Sequence, residues 1–159
     1  MLRIGQGYDI HAIIPGKGLK LGGVFFPKAG FKLKGHSDAD VILHAACDAL
    51  LGAAGLADIG TFFPDNKKCN KNRNSLEFIK EVAKILKEQA FEIINLDCTL
   101  IAEKPKIASK VKLMRTRIAK NLGLTVDRVA VKATTNEGLG TIGRSEGLAA
   151  LAIALVNKI

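Results

Sequence analysis

The sequence predicts an α/β domain, a mixed β-sheet covered by helices, spanning residues 1–159 as one compact unit. Strand-like stretches at residues 2–10, 91–102 and 128–134 alternate with stretches whose apolar residues recur at helical spacing, at 37–50, 75–86 and 105–122. The chain has 159 residues, 48% of them hydrophobic, which is enough for one ordinary core, and it carries no internal repeat and no linker.

Leu2, Ile4 and Ile10 among glycines give the first strand, closed by a turn at Pro15 and Gly16. Residues 19–33, punctuated by Gly22, Gly23, Pro27 and Gly30, predict short strands in a bent hairpin. From Ser37 the period changes. Ser37 or Asp38 is expected to cap a helix carrying Val41, Leu43, Ala46, Ala49 and Leu50, ended by glycines at 52 and 55. The polar stretch 58–72, with Gly60 and Pro64, reads as a functional loop or a mobile one. Ser75 is expected to cap a second helix with Leu76, Ile79, Val82, Ala83 and Leu86 inward and Lys80, Lys84 and Lys87 in water. Residues 91–102 alternate as a strand, Pro105 suits the first turn of a third helix through Leu122, and Gly123 stops it. Residues 128–134 form another strand. The apolar run after the glycine-rich segment 136–147 fits strand or helix by period alone, and we read it as a strand.

A formal charge of +9 favours phosphate-bearing partners, whether on a small molecule or along a nucleic acid. Few aromatics and no recognised nucleic-acid motif argue for the small molecule and against nucleic acid. Cys47, Cys69 and Cys98 are an odd number without a CxxC pair, which fits reduced thiols in a cytoplasmic setting. No apolar stretch approaches the length of a membrane span, so no membrane partner is expected.

Asp9 and His11 form D-x-H, and the strand period of two puts both side chains on one face, where they can chelate one metal. A third ligand is required, and His44, which on an apolar helix reads more often as a hydrogen-bonded core residue, would complete the set. Three protein ligands with an open fourth position are the composition of a catalytic zinc site. Asp40 and Asp48 stand at i−4 and i+4 from His44, and one of them is expected to accept the proton of its second ring nitrogen. Cys47, at i+3, is the rival ligand. His36 and Ser37 precede the helix, whose N-terminus favours an anion such as phosphate. Ala133, Thr134, Thr135, Asn136 and Glu137 leave a strand into a glycine-rich loop ending at Arg144, a setting that can hold a diphosphate with a hard divalent cation.

Taken in order, RIGQGYDIH at 3–11, HSDADVILH at 36–44, DIGTFFPD at 58–65, AEKPK at 102–106 and KATTNEGLGTIGR at 132–144 resemble the 2-C-methyl-D-erythritol 2,4-cyclodiphosphate synthase family across nearly the whole chain. The resemblance implies Zn2+ at Asp9, His11 and His44, and Mg2+ or Mn2+ at Glu137. It implies that His36 and Thr135 stabilise the reacting phosphates, that Asp58, Ile59 and Gly60 hold the methylerythritol hydroxyls, and that Phe63 and Asp65 belong to an adjoining flap. Ala102, Lys106 and Ala108, with Thr134, match the cytidine pocket, while Ser37, Ala133, Thr141 and Arg144 match further substrate-binding positions. Thr141 departs from the family in standing where an aromatic residue often occurs. The implied substrate is a diphosphocytidyl conjugate, closed to a cyclic diphosphate with release of CMP, and the implied assembly is a homotrimer with active sites between subunits. The rival reading is a zinc phosphoesterase that uses the same ligands to activate water.

Overall fold

The computed structural model describes residues 1–159. In chain order it has β1 (Leu2–Pro15), β2 (Lys20–Leu21), β3 (Val24–Phe25), β4 (Phe31–Leu33), α1 (Val41–Ala53), α2 (Ile59–Phe62), α3 (Ser75–Glu88), β5 (Phe91–Ile101), α4 (Val111–Leu122), β6 (Val129–Thr134), α5 (Gly140–Gly143) and β7 (Gly147–Lys158). Five strands form one sheet in the order β4-β1-β7-β5-β6, and β2 and β3 make a separate small hairpin. β1 runs antiparallel to β7 from the pair Leu2 and Asn157 to the pair Ala12 and Gly147. β5 is antiparallel to β7 and parallel to β6, so the sheet is mixed as expected, and α4 is the crossover that the parallel pair requires.

The period of two in β1 sets what each face does. Gly5 and Gly7 are buried and Asp9 and His11 half-buried on the helix-covered side, while Leu2, Ile4, Gln6, Tyr8 and Ile10 are exposed on the other. α1 lies across β1 and β7. It can lie so close because the strand surface beneath it is glycine in β1 and mostly alanine in β7: a Cβ on Gly7 would overlap the carbonyl oxygen of Ala45, and one on Gly5 that of Ala49. Ile42, Leu43, Leu50, Ile79, Leu86, Leu96, Leu100, Met114 and Ile118 fill the layer between helices and sheet. The final apolar run is a strand, paired on both edges, as read from the sequence.

Several boundaries differ from the sequence expectation. β1 runs past Ile10 to Pro15, because residues 13–15 find a second partner in β4. Asp40, rather than Ser37 or Asp38, caps α1, accepting from Leu43 N–H, and Asn74, rather than Ser75, caps α3. All are capping residue types, so local sequence does not rank them. Pro105 does not open the third helix. Ile107 turns into the core, Ala108–Lys110 makes a 3-10 turn, and α4 begins only at Val111. The polar stretch 58–72 is not a plain loop, since it contains α2 and a 3-10 turn at Lys68–Asn70.

Candidate active site

Asp9 and His11 project from β1, and α1 brings His44 down on them because Gly5 and Gly7 allow the close approach. Asp9 Oδ2 is 3.0 Å from His11 Nε2 and 3.1 Å from His44 Nδ1, and the two ring nitrogens are 3.3 Å apart. His11 Nδ1 lies 2.7 Å from the Lys34 carbonyl. A carbonyl only accepts, so Nδ1 carries a proton and donates it there, which leaves Nε2 as the ring nitrogen turned to Asp9.

One oxygen and two nitrogens thus converge, with all three ligand atoms within 4.8 Å of one another. Acceptors crowded this closely need a cation or shared protons between them. A mixed carboxylate and imidazole set suits zinc by donor type, and three ligands leave a coordination position toward the cleft. Cys47, the rival ligand, is fully buried among the α1 core residues and takes no part.

Burial pushes the Asp9 carboxyl up, but hydrogen bonds with His11 and His44 and their charge outweigh it and hold the group well below its ordinary 3.8. The hydrogen bond to Asp9 raises His11 above its ordinary 6.5, with burial opposing. The two shifts describe one interaction.

The expectation that Asp40 or Asp48 orients His44 is not met. Asp40 is fully buried and spends its oxygens on backbone donors, Gly22 N–H at 2.9 Å, Gly23 N–H at 2.7 Å and Leu43 N–H at 3.3 Å. Asp48 Oδ1 accepts from Ile59 N–H at 2.7 Å and so anchors the first turn of α2. Instead, His44 Nε2 meets Ser75 Oγ at 3.0 Å and Ser37 Oγ at 3.2 Å.

The triad opens on a cleft of about 560 Å³ that also contains His36, Ser37, Ile59, Gly60, Phe63 and Asp65 from the sequence expectation. His36 Nε2 is buried without a hydrogen-bond partner, which leaves it free for a ligand atom. Asp58 falls just outside, where it caps α2 through Thr61. Phe78 and Asn70 line the cleft unforeseen. Asn70 Nδ2 donates to the Pro64 carbonyl at 3.0 Å and holds the loop closed on itself. Phe78 carried the signal of an i+3 neighbour of Ser75 on the amphipathic face, a signal equally that of plain core.

Ala102, Lys106, Ala108, Ala133, Thr134 and Thr135 come together in a second cleft of about 330 Å³. No residue lines both clefts. Glu137, in a left-handed conformation at φ 52°, sits next to Thr135, whose hydroxyl donates to its Oε1 at 3.3 Å, and belongs to neither cleft. Thr141 and Arg144 lie on the surface, and Arg144 pairs with Glu146 at 2.7 Å.

Fold and site together define an α/β protein with a candidate metal centre, open to a polar cleft and accompanied by a second, separate cleft. The family model described as the YgbB family matches residues 2–157, and the chain belongs to that family, which is that of the 2-C-methyl-D-erythritol 2,4-cyclodiphosphate synthases. It is 51% identical over 158 residues to the protein of that name from Alkaliphilus oremlandii, covering 99% of each chain. It is 53% identical over 154 residues to that from Symbiobacterium thermophilum, covering 96% of this chain and 97% of the other. Among solved structures, the bifunctional IspDF from Campylobacter jejuni superposes with a TM-score of 0.95 at 41% identity, and this chain spans all of its own length but 43% of that longer one. An IspF from Plasmodium falciparum in complex with CDP superposes with a TM-score of 0.86 at 35% identity, covering 99% of this chain and 96% of that one.

Proposed function

We propose that this chain converts 4-diphosphocytidyl-2-C-methyl-D-erythritol 2-phosphate to 2-C-methyl-D-erythritol 2,4-cyclodiphosphate and CMP, a step of the non-mevalonate isoprenoid pathway, in the cytoplasm. The observation that carries the reading is the convergence of Asp9, His11 and His44 on a cleft, in a chain about half identical, end to end, to synthases of that name.

In this reaction an oxygen of the 2-phosphate attacks the β-phosphorus, the bond from that phosphorus to the bridging oxygen breaks, and CMP leaves with the electron pair. Zinc held by Asp9, His11 and His44, and magnesium or manganese held by Glu137, would supply Lewis acidity and screen the repulsion between the two phosphates. No protein nucleophile is required. The chain's own residues position and hold: His36 offers its unpartnered ring nitrogen to a phosphate oxygen, and the Thr135 hydroxyl, exchanging its bond to Glu137 Oε1, donates to another from the second cleft. Ile59 and Gly60, behind the Asp58 cap, offer backbone groups to the methylerythritol hydroxyls. The second cleft, with Ala102, Lys106, Ala108, Ala133 and Thr134, takes the cytidine. Ser37, Phe63 and Asp65 complete the wall of the first cleft, and Thr141 and Arg144 contact substrate from the glycine-rich loop.

The working unit we infer is a homotrimer with each active site shared between neighbours. Two features support it. The two halves of the substrate machinery occupy clefts without a common residue. The sheet face away from the helices is apolar and uncovered, with Ile4 70%, Tyr8 51% and Ile153 48% exposed, an invitation to association between copies.

Phosphorus NMR of the purified protein with the diphosphocytidyl substrate, magnesium and zinc tests the reading. Cyclic diphosphate with equimolar CMP is the expected product, and inorganic phosphate would assign a phosphoesterase instead.

A further inference from the structure

The hydroxyl of Ser75 stands between His44 and the carboxylate of Asp38. Ser75 is fully buried at the first position of α3, and its Oγ donates to Asp38 Oδ1. Asp38 also accepts from Ser75 N–H at 3.1 Å and from Lys20 Nζ at 3.5 Å, both on Oδ2, and from Asp40 N–H at 3.4 Å on Oδ1. Its side chain is 7% exposed, so these donors are its surroundings.

A serine hydroxyl has one proton. With that proton committed to Asp38, Ser75 Oγ can only accept from His44 Nε2 at 3.0 Å. Ser37 Oγ, at 3.2 Å, then shares the same N–H. Nε2 therefore carries a proton, which leaves Nδ1, facing Asp9 and His11, as the nitrogen of His44 that can ligate. His11 is fixed in the complementary sense by the Lys34 carbonyl.

We infer that Asp38 and Ser75 are positioning residues for the candidate metal centre, forming a carboxylate, hydroxyl and imidazole chain that fixes the tautomer in which His44 can ligate. The inference rests on the reading of Asp9, His11 and His44 as metal ligands. It assigns to Asp38, through a serine 37 residues away, the role that sequence spacing suggested for Asp40 or Asp48.

The test turns on an isosteric change. Asp38→Asn must keep its remaining oxygen toward Ser75 N–H and Lys20, so its amide faces Ser75 Oγ and donates to it. The serine proton is then released toward His44 Nε2, and the ring protonates at Nδ1, the wrong nitrogen for ligation. Ser75→Ala removes the relay without reversing it, since Ser37 can still accept from Nε2. Zinc affinity of the purified protein, measured by competition with a chromophoric chelator, is expected to fall about 10–100-fold in Asp38→Asn and less in Ser75→Ala.

The order of the two variants is the signature, because simple loss of a packing contact makes the alanine at least as harmful. Urea midpoints of the metal-free variants separate loss of fold from loss of affinity. Unchanged zinc affinity in a folded Asp38→Asn overturns the inference, as does a greater loss in Ser75→Ala. If the unaltered protein takes up no zinc, the metal reading itself falls and takes this inference with it, a result recognisable before any variant is made.

Discussion

Gly7 on β1 lies directly against the carbonyl oxygen of Ala45 on α1, with no room for a methyl group between them. The contact places His44, one residue before Ala45, against Asp9, two residues after Gly7. Core packing and site geometry are therefore the same requirement at this point of the fold.

Gly7→Ala should be costly for that reason. Overpacking a core typically costs about 1–3 kcal/mol, and here the obstacle is backbone, which cannot rotate away. The expected result is a loss at or above the top of that range. In a chain of this length it reads as a fall in Tm of about 6 °C or more. Circular dichroism melts at one fixed protein concentration check it, and an unchanged Tm would mean that α1 can shift outward freely.

Asp9→Ala and His44→Ala each remove a ligand while leaving α1 and β1 paired. Because loss of an outer-shell partner already costs about 10–100-fold, CMP release should drop more than about 100-fold, with the circular dichroism spectrum retained. Wild-type CMP release by either variant would remove the metal centre from the mechanism.

Asp40→Ala is a stability prediction. Gly22, Gly23 and Leu43 N–H would lose their buried acceptor, and an unsatisfied buried donor costs about 1–3 kcal/mol. The urea midpoint should fall by the equivalent of about 3 kcal/mol or more, and Asp40→Asn, which keeps one oxygen, should fall less. Equal midpoints would show that water replaces the carboxylate.

Proton and metal compete at the triad, and the sign can be worked out. Asp9 is lowered in the folded state, so its contribution is present above its ordinary 3.8 and lost as pH falls through the folded value. His11 is raised, so its contribution is fully present below 6.5 and lost as pH rises through the folded value. The metal-free protein thus gains most from the pair between those two values. Zinc requires His11 deprotonated, so the Tm difference between zinc-loaded and chelator-treated protein should widen from about pH 5.5 to about pH 8.5. A difference independent of pH would sink this assignment.

The thiols give a check on the core. Burial, with Asp97 nearby, pushes the Cys98 thiol up to about 12, and burial raises Cys47 well above its ordinary value, whereas Cys69 is exposed. Since the thiolate is the reacting form, a disulfide reagent at mildly alkaline pH should titrate one of the three cysteines in native protein and the rest only in denaturant.

What the sequence made legible was whatever a period fixes. The period of two put Asp9 and His11 on one face, and the helical period made α3 and the buried stretch of α1 readable. His44 followed as the imidazole left on an apolar helix. The link from Asp38 to Ser75 was not legible, because it joins two helix beginnings far apart in the chain and leaves no mark on local spacing. Asp40 and Asp48 had the right spacing from His44 but a nearer claim on them, the unpaired N–H groups of Gly22, Gly23 and Ile59. The start of α4 was missed at Pro105, since a proline tolerated in a first helical turn is equally at home in the turn that precedes one.

β1 carries two messages interleaved letter by letter. Its odd positions spell the seat of α1 and the ligands, and its even positions spell the apolar outer surface. Deleting one residue near its start would not shorten either message but exchange them, turning Ile4 and Tyr8 against the helix and sending the glycines outward. The strand therefore tolerates a change of letter far better than a change of frame.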